Sequence, residues 1–202
     1  MNIAILGAGN IGGTLGRKWA AAGHSVVYGV RDPASPKAQA LRALDPAARL
    51  LTVAEALAEA DTVLVSTPHA AVAEIAQTHA PALAGKFLVD ATNAFGAPVV
   101  NNVQTLQTAA PTAVVCRAFN SLGWEHFAEP QLEGRQLDHF FCGPDGEPRA
   151  VMERLIAEIG LRPIWVGGYE TLPVVDALGT LWVTLAFRRG LGRGLALKLL
   201  GV

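Results

Sequence analysis

Short apolar runs alternate with amphipathic or alanine-rich stretches along most of this chain. The apolar runs, which we predict as strands, are Asn2–Leu6, Ser25–Val30, Leu50–Thr52, Thr62–Ser66, Phe87–Asp90, Ala113–Arg117, His139–Cys142 and Pro163–Val166. The stretches that we predict as helices are Ile11–Ala22, part of Pro33–Leu44, Ala54–Ala60, Ala70–His79 and Glu147–Ile159. Continuous apolar strands that alternate with helices are typical of a parallel sheet covered on both faces. The pattern therefore predicts an α/β fold with a doubly wound, mostly parallel sheet.

The pattern changes after residue 167. The run "TLPVVDALGTLWVTLAF" predicts a helix with Thr171 as its cap and Pro173 in its first turn. This helix is apolar nearly all round, which is typical of a helix buried in a core or an interface. We therefore divide the chain into an α/β domain, residues 1–167, and a C-terminal helical segment, residues 168–202, that completes the functional site of this domain or a dimer interface. The longest apolar stretch, Ala177–Phe187, is too short to span a bilayer, so we expect no membrane partner.

Composition and charge narrow the possible classes of function. The 202 residues include 16 Lys and Arg against 17 Asp and Glu, so global charge gives no reason to expect nucleic acid binding. Cys116 and Cys142 lie inside apolar runs, which favours two buried thiols over a metal site. Few cysteines and a first strand that begins at residue 2, with no signal peptide before it, predict a cytoplasmic protein.

The most informative motif is the stretch "IAILGAGNIG" at residues 3–12. Its three glycines follow a predicted strand and open a predicted helix, which is the context that gives a G-x-G-x-x-G motif its meaning. Gly7 allows the tight turn, Gly9 lets the backbone approach a pyrophosphate, and Gly12 lets the helix pack close to the strand. The helix N-terminus then offers free N–H groups to the anion. We predict a Rossmann domain in which the whole loop binds a dinucleotide, with contacts at Gly7, Ala8, Gly9, Asn10, Ile11 and Gly12.

The end of the second strand, "YGVRDP", bears on the choice of nucleotide. NAD-binding domains usually carry an acidic residue at this place, whereas NADP-binding domains carry an Arg for the 2′-phosphate. Arg31 comes first and Asp32 second in this chain. Because a guanidinium is a good partner for phosphate, we predict NADP. The alternative is that Arg31 pairs with Asp32 or faces solvent, which leaves NAD open.

Three further loops follow strands, where a doubly wound sheet binds its ligands. They are Ser66–His69 with Thr67 and Pro68, Asp90–Phe95 with Thr92 and Asn93, and Phe119–Trp124 with Asn120 and Ser121. All three mix small polar groups with rigid rings, which suits a flat aromatic ligand beside a nicotinamide carboxamide. Each loop taken alone is also consistent with ordinary turn chemistry.

We find no convincing proton donor at this rim and assign no catalytic residue. His69 is the best placed histidine, but a cap or a sugar contact explains it equally well, and His139 lies before a strand, away from the rim. Reduction of a carbonyl needs a proton donor beside the oxygen, whereas hydride transfer to a flavin-like ring needs mainly alignment and exclusion of water. The basic tail, with Arg193 and Lys198, is either a solvated helix end or a site for an anionic ligand.

Several stretches together resemble a known family, the NADP oxidoreductases that depend on coenzyme F420, a deazaflavin. The glycine loop is shared by many families, but "AFNSLGW" and "CGPDGE" are more specific, and the resemblance extends through "VVDALGTLWVTLAF". The same module resembles the reductase domain of some membrane ferric reductases. The resemblance implies that Gly9, Asn10 and Ile11 contact the pyrophosphate and that Val30 and Arg31 contact the 2′-phosphate. It also implies that Pro68, His69 and Asn93 approach the nicotinamide half. This chain has Val30 where the family often has a hydroxyl or amide residue.

The resemblance implies hydride exchange between NADPH and a deazaflavin or flavin-like coenzyme, which would then be the small-molecule partner. Relatives occur where no deazaflavin is made, so the second substrate stays open. A small NADPH-dependent carbonyl or imine reductase is the first alternative, although such enzymes usually carry a larger helical domain after the Rossmann part. A non-catalytic NADP(H)-binding protein is the second. The apolar C-terminal helix favours a homodimer in each case.

Overall fold

The computed structural model describes residues 1–201, with only the backbone of Lys37 included. Its ten strands within that range are β1 (Asn2–Leu6), β2 (Ser25–Val30), β3 (Arg49–Thr52), β4 (Thr62–Val65), β5 (Phe87–Asp90), β6 (Val114–Arg117), β7 (Gln131–Leu132), β8 (Arg135–Gln136), β9 (Asp138–Phe141) and β10 (Arg162–Trp165). The first six form one sheet in the order β3-β2-β1-β4-β5-β6, and every pair in it is parallel. The predicted α/β class and doubly wound sheet are confirmed.

Helices cover both faces of this sheet. The α-helices are α1 (Asn10–Ala21), α2 (Pro36–Leu44), α3 (Val53–Glu59), α4 (Val72–Thr78), α5 (Ala80–Leu83), α6 (Val103–Ala109), α7 (Glu125–Ala128), α8 (Glu147–Glu158) and α9 (Leu172–Val183). Alternate residues of β1 enter different cores: Ile3 and Ile5 pack with the residues of α1 and α8, while Ala4 and Leu6 pack with those of α3, α4 and α6. The apolar run of a strand buried on both faces thus follows directly from this layered arrangement.

The last two predicted strands lie outside the main sheet. β9 and β10 pair with each other in parallel, and an antiparallel bridge between Arg117 and Cys142 joins them to β6. The short antiparallel pair β7–β8 was not predicted, nor were α5, α6 and α7. These elements span only two to seven residues, too few to show a clear hydrophobic period.

The C-terminal helix is longer than the sequence indicated. A turn of 3-10 helix at Tyr169–Thr171, α9, and a π-helical turn at Thr184–Arg188 form one continuous run. Its 20 residues have a mean hydropathy of 1.2 and are long enough, by length and composition alone, to cross a membrane. The apolar stretch from which the sequence analysis judged this length, Ala177–Phe187, covers only part of the helical run. Pro173 lies in the first turn as expected, but the Thr171 hydroxyl donates to the Gly168 carbonyl and caps no helical N–H.

Candidate functional site

The glycine loop turns sharply between β1 and α1. Gly7 has a φ of +106°, a conformation that side chains rarely adopt, and a Cβ placed there would come within 2.7 Å of the Ser66 carbonyl oxygen. A Cβ at Gly12 would overlap the Gly7 carbonyl oxygen. Because α1 packs against the turn and β4 at these points, both glycines are required by the fold itself, as the motif predicted.

Gly9 differs from its two neighbours because the fold does not require it. Its φ of −83° is ordinary, and a Cβ there would have no atom within 4 Å. It precedes the first turn of α1, which has no side-chain cap and no acidic residue. The first helical bond runs from the Gly13 N–H to the Gly9 carbonyl, so the N–H groups of Asn10, Ile11 and Gly12 have no helical partner. Open space beside free N–H groups at a positive dipole end fits a pyrophosphate.

Two cavities flank the loop. The larger, of about 620 Å³, is lined on the β1–β2–β3 side by residues that include Gly7, Ala8, Val30, Arg31, Asp32, Ser35, Thr52, Thr67 and Pro68. The smaller, of about 530 Å³, is lined by Gly9, Asn10, Ile11, Ser66, Trp124 and Arg193. A dinucleotide in a Rossmann fold lies across the point where the strand order reverses, here between β1 and β4. The pair of cavities therefore suits a nucleoside on one side of the loop and a second ring on the other.

Arg31 at the end of β2 is exposed, and no ion pair or hydrogen bond to it is found among the described residues. The Asp32 carboxylate accepts the Ala34 N–H at 2.8 Å, and the Asp32 carbonyl accepts the Ser35 hydroxyl at 2.7 Å. The structure therefore contains no Arg31–Asp32 pair, which was the alternative to phosphate binding. Val30, beside Arg31, is half-buried in the same cavity wall.

A buried charge network underlies the rim beyond β5. Arg117 at the end of β6 is fully buried, and its guanidinium lies 2.9 Å from the Asp176 carboxylate of α9. It also donates to the Asn93 side-chain oxygen at 2.8 Å and to the carbonyl of Asp90. Sequence reasoning assigned no role to Arg117 or Asp176. The available signal was a charged residue inside a buried strand and another in an apolar helix, since charges are almost never fully buried unless they are paired.

His69 is held by the same network. Its Nε2 lies 3.2 Å from the Asn101 carbonyl, and the Asn101 amide donates to Asp176 at 2.6 Å. The Asn102 amide donates both to the His69 carbonyl, at 3.3 Å, and to the Thr92 hydroxyl, at 2.9 Å. Thr67 and Pro68 line the larger cavity, whereas the predicted site residues His69 and Asn93 line neither of the two cavities.

The loop after β6 faces the cavity less than predicted. Phe119 is fully buried with a φ of +59°, and its ring stacks on His139 at 4.8 Å between ring centroids. Its N–H donates to the His139 Nε2 at 2.6 Å, so His139 supports this loop, contrary to the predicted position away from the rim. Burial, with a smaller effect of Arg117, lowers the pKa of His139 to about 3. Of the predicted rings in this loop, Trp124 lines the cavity and Phe119 belongs to the core.

The basic tail folds back onto the Rossmann part. Arg193 pairs with both oxygens of the Glu125 carboxylate, at 2.6 and 2.9 Å, and hydrogen bonds from this guanidinium hold the pKa of Glu125 below its usual range. Lys198 lies 3.1 Å from the buried carboxylate of Asp138. These two cations are therefore not part of a solvated helix end. Arg193 lines the smaller cavity from the C-terminal segment, which was predicted to complete the site.

Comparison with known proteins bears on this arrangement. Residues 2–94 match the family model of the coenzyme F420-dependent NADP oxidoreductases. This N-terminal part of the chain is therefore similar to that family. A solved structure from Arthrobacter sp. FB24, which carries the provisional description of an F420-dependent NADP reductase, is 26% identical, with a TM-score of 0.85 over 99% of each chain. The predicted resemblance and the prediction of an oxidoreductase are both confirmed.

Two more distant relatives extend the comparison. The metalloreductase STEAP3 of Rattus norvegicus is 27% identical over 188 residues, which are 87% of this chain and 36% of that protein. The chain thus spans about a third of the length of this curated relative. A reductive aminase from Aspergillus terreus, solved in complex with NADPH and ethyl levulinate, shares the fold at 20% identity, with a TM-score of 0.68 over 94% of this chain and 62% of its own.

Proposed function

We propose that this oxidoreductase transfers a hydride between NADPH and a flavin-like or deazaflavin coenzyme. The observation that carries the proposal is the lining of the smaller cavity beside the glycine loop. Its side chains supply a flat ring, Trp124, and a fixed cation, Arg193. Asn10 and Ser66 also line this cavity, and the Ser66 hydroxyl donates to the carbonyls of Leu6 and Gly7 at 3.1 and 3.0 Å. None of these groups releases a proton readily near neutral pH.

This lining suits one kind of hydride acceptor. NADPH supplies the hydride from its dihydronicotinamide ring. Trp124 offers a flat apolar surface for an aromatic acceptor, which aligns the two rings and excludes water from between them. Arg193, held in place by Glu125, presents a cation where a ring that gains a hydride becomes negatively charged. A carbonyl substrate instead needs a proton delivered to its oxygen, and no group in this lining is suited to that step.

Stopped-flow mixing with NADPH tests the proposal. The near-ultraviolet absorbance of NADPH should fall when coenzyme F420 or riboflavin phosphate is added, and deuterium at the nicotinamide C4 should slow the fall and appear in the reduced acceptor. Simple quinones, a ketone and a cyclic imine serve as the comparison set. Oxidation with the ketone or imine alone would favour the carbonyl or imine reductase. Tight NADPH binding with no oxidation across the whole set would favour a non-catalytic binding protein.

We further propose that the nucleotide is NADP(H), on account of the unpaired Arg31. Replacement of Arg31 with Ala removes a charge-assisted hydrogen bond to the 2′-phosphate, which is typically worth about 1.5–3 kcal/mol. The Kd for NADPH should therefore rise about 10- to 100-fold, while the weak binding of NADH stays unchanged. Isothermal titration calorimetry measures both. The matched control is Arg42→Ala, on the exposed part of α2. An equal loss of NADH binding would contradict a 2′-phosphate contact.

A further inference from the structure

Beyond Gly192 the chain folds back onto the α/β domain as a strap, residues 193–199, which contains one turn and no helix or strand. Each hydrogen bond that we find between the strap and the rest of the described protein involves a side chain. A segment that lies outside the helices and sheets and is held in this way belongs to the part of a protein that opens at low free energy. The contacts at its two ends therefore decide how the strap moves.

The far end of the strap has a strong fastening at Asp138, which we call the anchor. The Asp138 carboxylate in β9 is fully buried and accepts the Leu199 N–H at 2.7 Å and the Lys198 ammonium group at 3.1 Å. The Arg162 guanidinium donates to the same carboxylate and to the Leu199 carbonyl, both at 2.7 Å. Because hydrogen bonds between charged groups are strong and a buried carboxylate is costly to leave unpaired, this end of the strap is firmly held.

The near end of the strap lies at the smaller cavity, and its fastening, which we call the latch, is weaker. Arg193 lines this cavity and pairs with Glu125, and both side chains are 39% exposed. The Arg193 guanidinium also lies over the rings of Trp182 and Phe187, at 5.5 and 5.6 Å from their centroids, and Trp182 donates to the Leu195 carbonyl at 2.8 Å. Ion pairs with this exposure stabilise little, because water solvates both partners. The latch therefore opens more readily than the anchor.

A hinge lies directly before the latch. The N–H groups of Leu191 and Gly192 donate to carbonyls of the π-helical turn at 3.1 Å, so the chain is tied to the C-terminal helix up to this point. Gly192 has a φ of +79°, and a Cβ there would have no atom within 4 Å. Since glycine adopts positive and negative values of φ with similar ease, the chain can bend at Gly192 without a clash and at little cost.

We propose that the strap opens at the latch while the anchor holds, and that it closes over the hydride acceptor in the smaller cavity. In the closed state Arg193 lies against the acceptor, and in the open state it is withdrawn. An acceptor that contacts Arg193 only in the closed state shifts the strap toward closure, and closure strengthens acceptor binding by the same factor. This inference rests on the proposed hydride transfer to a ring in that cavity. Gly192 acts on the acceptor only through Arg193 and is a positioning residue.

Gly192→Ala tests the hinge without the loss of any side-chain contact. Left-handed backbone is unfavourable for alanine, so the ratio of open to closed strap should rise about tenfold. Trypsin should then cleave the Arg193–Gly194 bond about tenfold faster, because cleavage follows the open population, and mass spectrometry of the released peptides identifies the bond. Gly134→Ala is the matched control. Its φ of +72° and its open surroundings are similar, but it lies in the turn between β7 and β8 and should leave this cleavage unchanged.

The acceptor links the strap to the reaction. With NADP⁺ bound, riboflavin phosphate or coenzyme F420, whichever oxidises NADPH, should slow the cleavage after Arg193. Gly192→Val, whose branched side chain disfavours a positive φ still more, should open the strap further than Gly192→Ala. Its KM for the acceptor should rise by the factor by which the closed population falls, while kcat and the Kd for NADPH stay unchanged. Gly134→Val serves as the control for this pair of measurements.

The outcomes separate the strap from the proposed function. Equal cleavage rates in Gly192→Ala and Gly134→Ala would overturn the hinge, and cleavage that a bound acceptor does not slow would overturn closure over the acceptor. A Kd for NADPH that rises with the acceptor KM in Gly192→Val would place the effect at the dinucleotide and also overturn the proposal. If neither acceptor oxidises NADPH, the proposed function is contradicted instead. The cleavage rates of the two alanine variants need no acceptor, so they decide on the opening of the strap by themselves.

Discussion

At the scale of single residues, the imidazole of His139 shows how a buried side chain supports a loop distant in sequence. It lies in β9, accepts the Phe119 N–H, and stacks on the Phe119 ring. The φ of +59° at Phe119 is unfavourable for an aromatic residue, so the surrounding contacts must hold it in place. Because an imidazole nitrogen accepts a hydrogen bond only when it carries no proton, the contact with the Phe119 N–H depends on an uncharged His139.

This dependence predicts a loss of stability in mild acid. The pKa of His139 is about 3 in the folded protein against 6.5 for an ordinary histidine. At a pH between these two pKa values, His139 binds a proton in the unfolded chain but not in the folded chain. The free energy of unfolding therefore falls as the pH falls. The contribution of His139 to this fall should be ~2 kcal/mol between pH 7 and pH 5.

Urea denaturation at the two pH values measures the effect. His139→Gln keeps an acceptor for the Phe119 N–H but does not titrate, so it should lose ~2 kcal/mol less stability than the unmodified protein over this interval. The variant is expected to be less stable at pH 7 because the stacked ring is lost. Equal pH dependence in the two proteins would show that His139 is protonated in the fold.

The glycine loop makes a second prediction at this scale, based on the contrast between Gly7 and Gly9. Gly9→Ala has an ordinary φ and open space around the new Cβ, so thermal stability should hardly change. The methyl group would, however, occupy the space proposed for the pyrophosphate, and the Kd for NADPH should rise at least about tenfold. Gly7→Ala should instead destabilise the fold itself, because of its φ of +106° and the nearby Ser66 carbonyl. Thermal melts and NADPH titrations of both variants provide the comparison.

At the scale of elements, the ion pair between β6 and α9 fastens the C-terminal helix to the sheet. Asp176→Ala leaves the fully buried Arg117 with a weaker partner, since the Asp90 carboxylate lies 3.6 Å away. Removal of one partner from a buried pair typically costs about 3–5 kcal/mol. We expect a loss of this size in urea denaturation, with a smaller loss in Asp176→Asn. Glu59→Ala, which breaks the exposed pair with Arg49, is the control and should cost under about 1 kcal/mol.

The same ion pair shows which features of the fold could not be predicted from the sequence. The strand–turn–helix unit from β1 to β2 was predicted within one or two residues, because its apolar period and its glycines are local signals. The pairing of Arg117 with Asp176 was not, since 59 residues separate the partners and neither has a motif around it. For the same reason the sequence predicted both rings of the loop "AFNSLGW" at the rim, although Phe119 packs into the core. The charged partners of the tail were missed likewise, because Glu125 and Arg193 meet only in the folded chain.

At the scale of the whole molecule, the C-terminal segment has one side on the sheet and one side uncovered. Asp176 and Val175 are buried, whereas Val174 and Leu181 are 51% and 44% exposed. These two exposed residues are seven positions apart and so lie on the same face of α9. Phe187 and Leu191 beyond them are 55% and 65% exposed. Monomeric proteins rarely expose a continuous apolar surface of this kind.

We therefore propose that α9 and the residues after it form the interface of a homodimer. Light scattering coupled to gel filtration at micromolar concentration should give the mass of two chains. Leu181→Glu places a charge at the centre of the exposed face and should shift the protein to a monomer, with NADPH binding retained because Leu181 lines neither cavity. Leu44→Glu, at a residue that is 76% exposed at the end of α2, is the matched control and should stay dimeric. A monomeric unmodified protein, or a Leu181→Glu variant that remains a dimer, would contradict this interface.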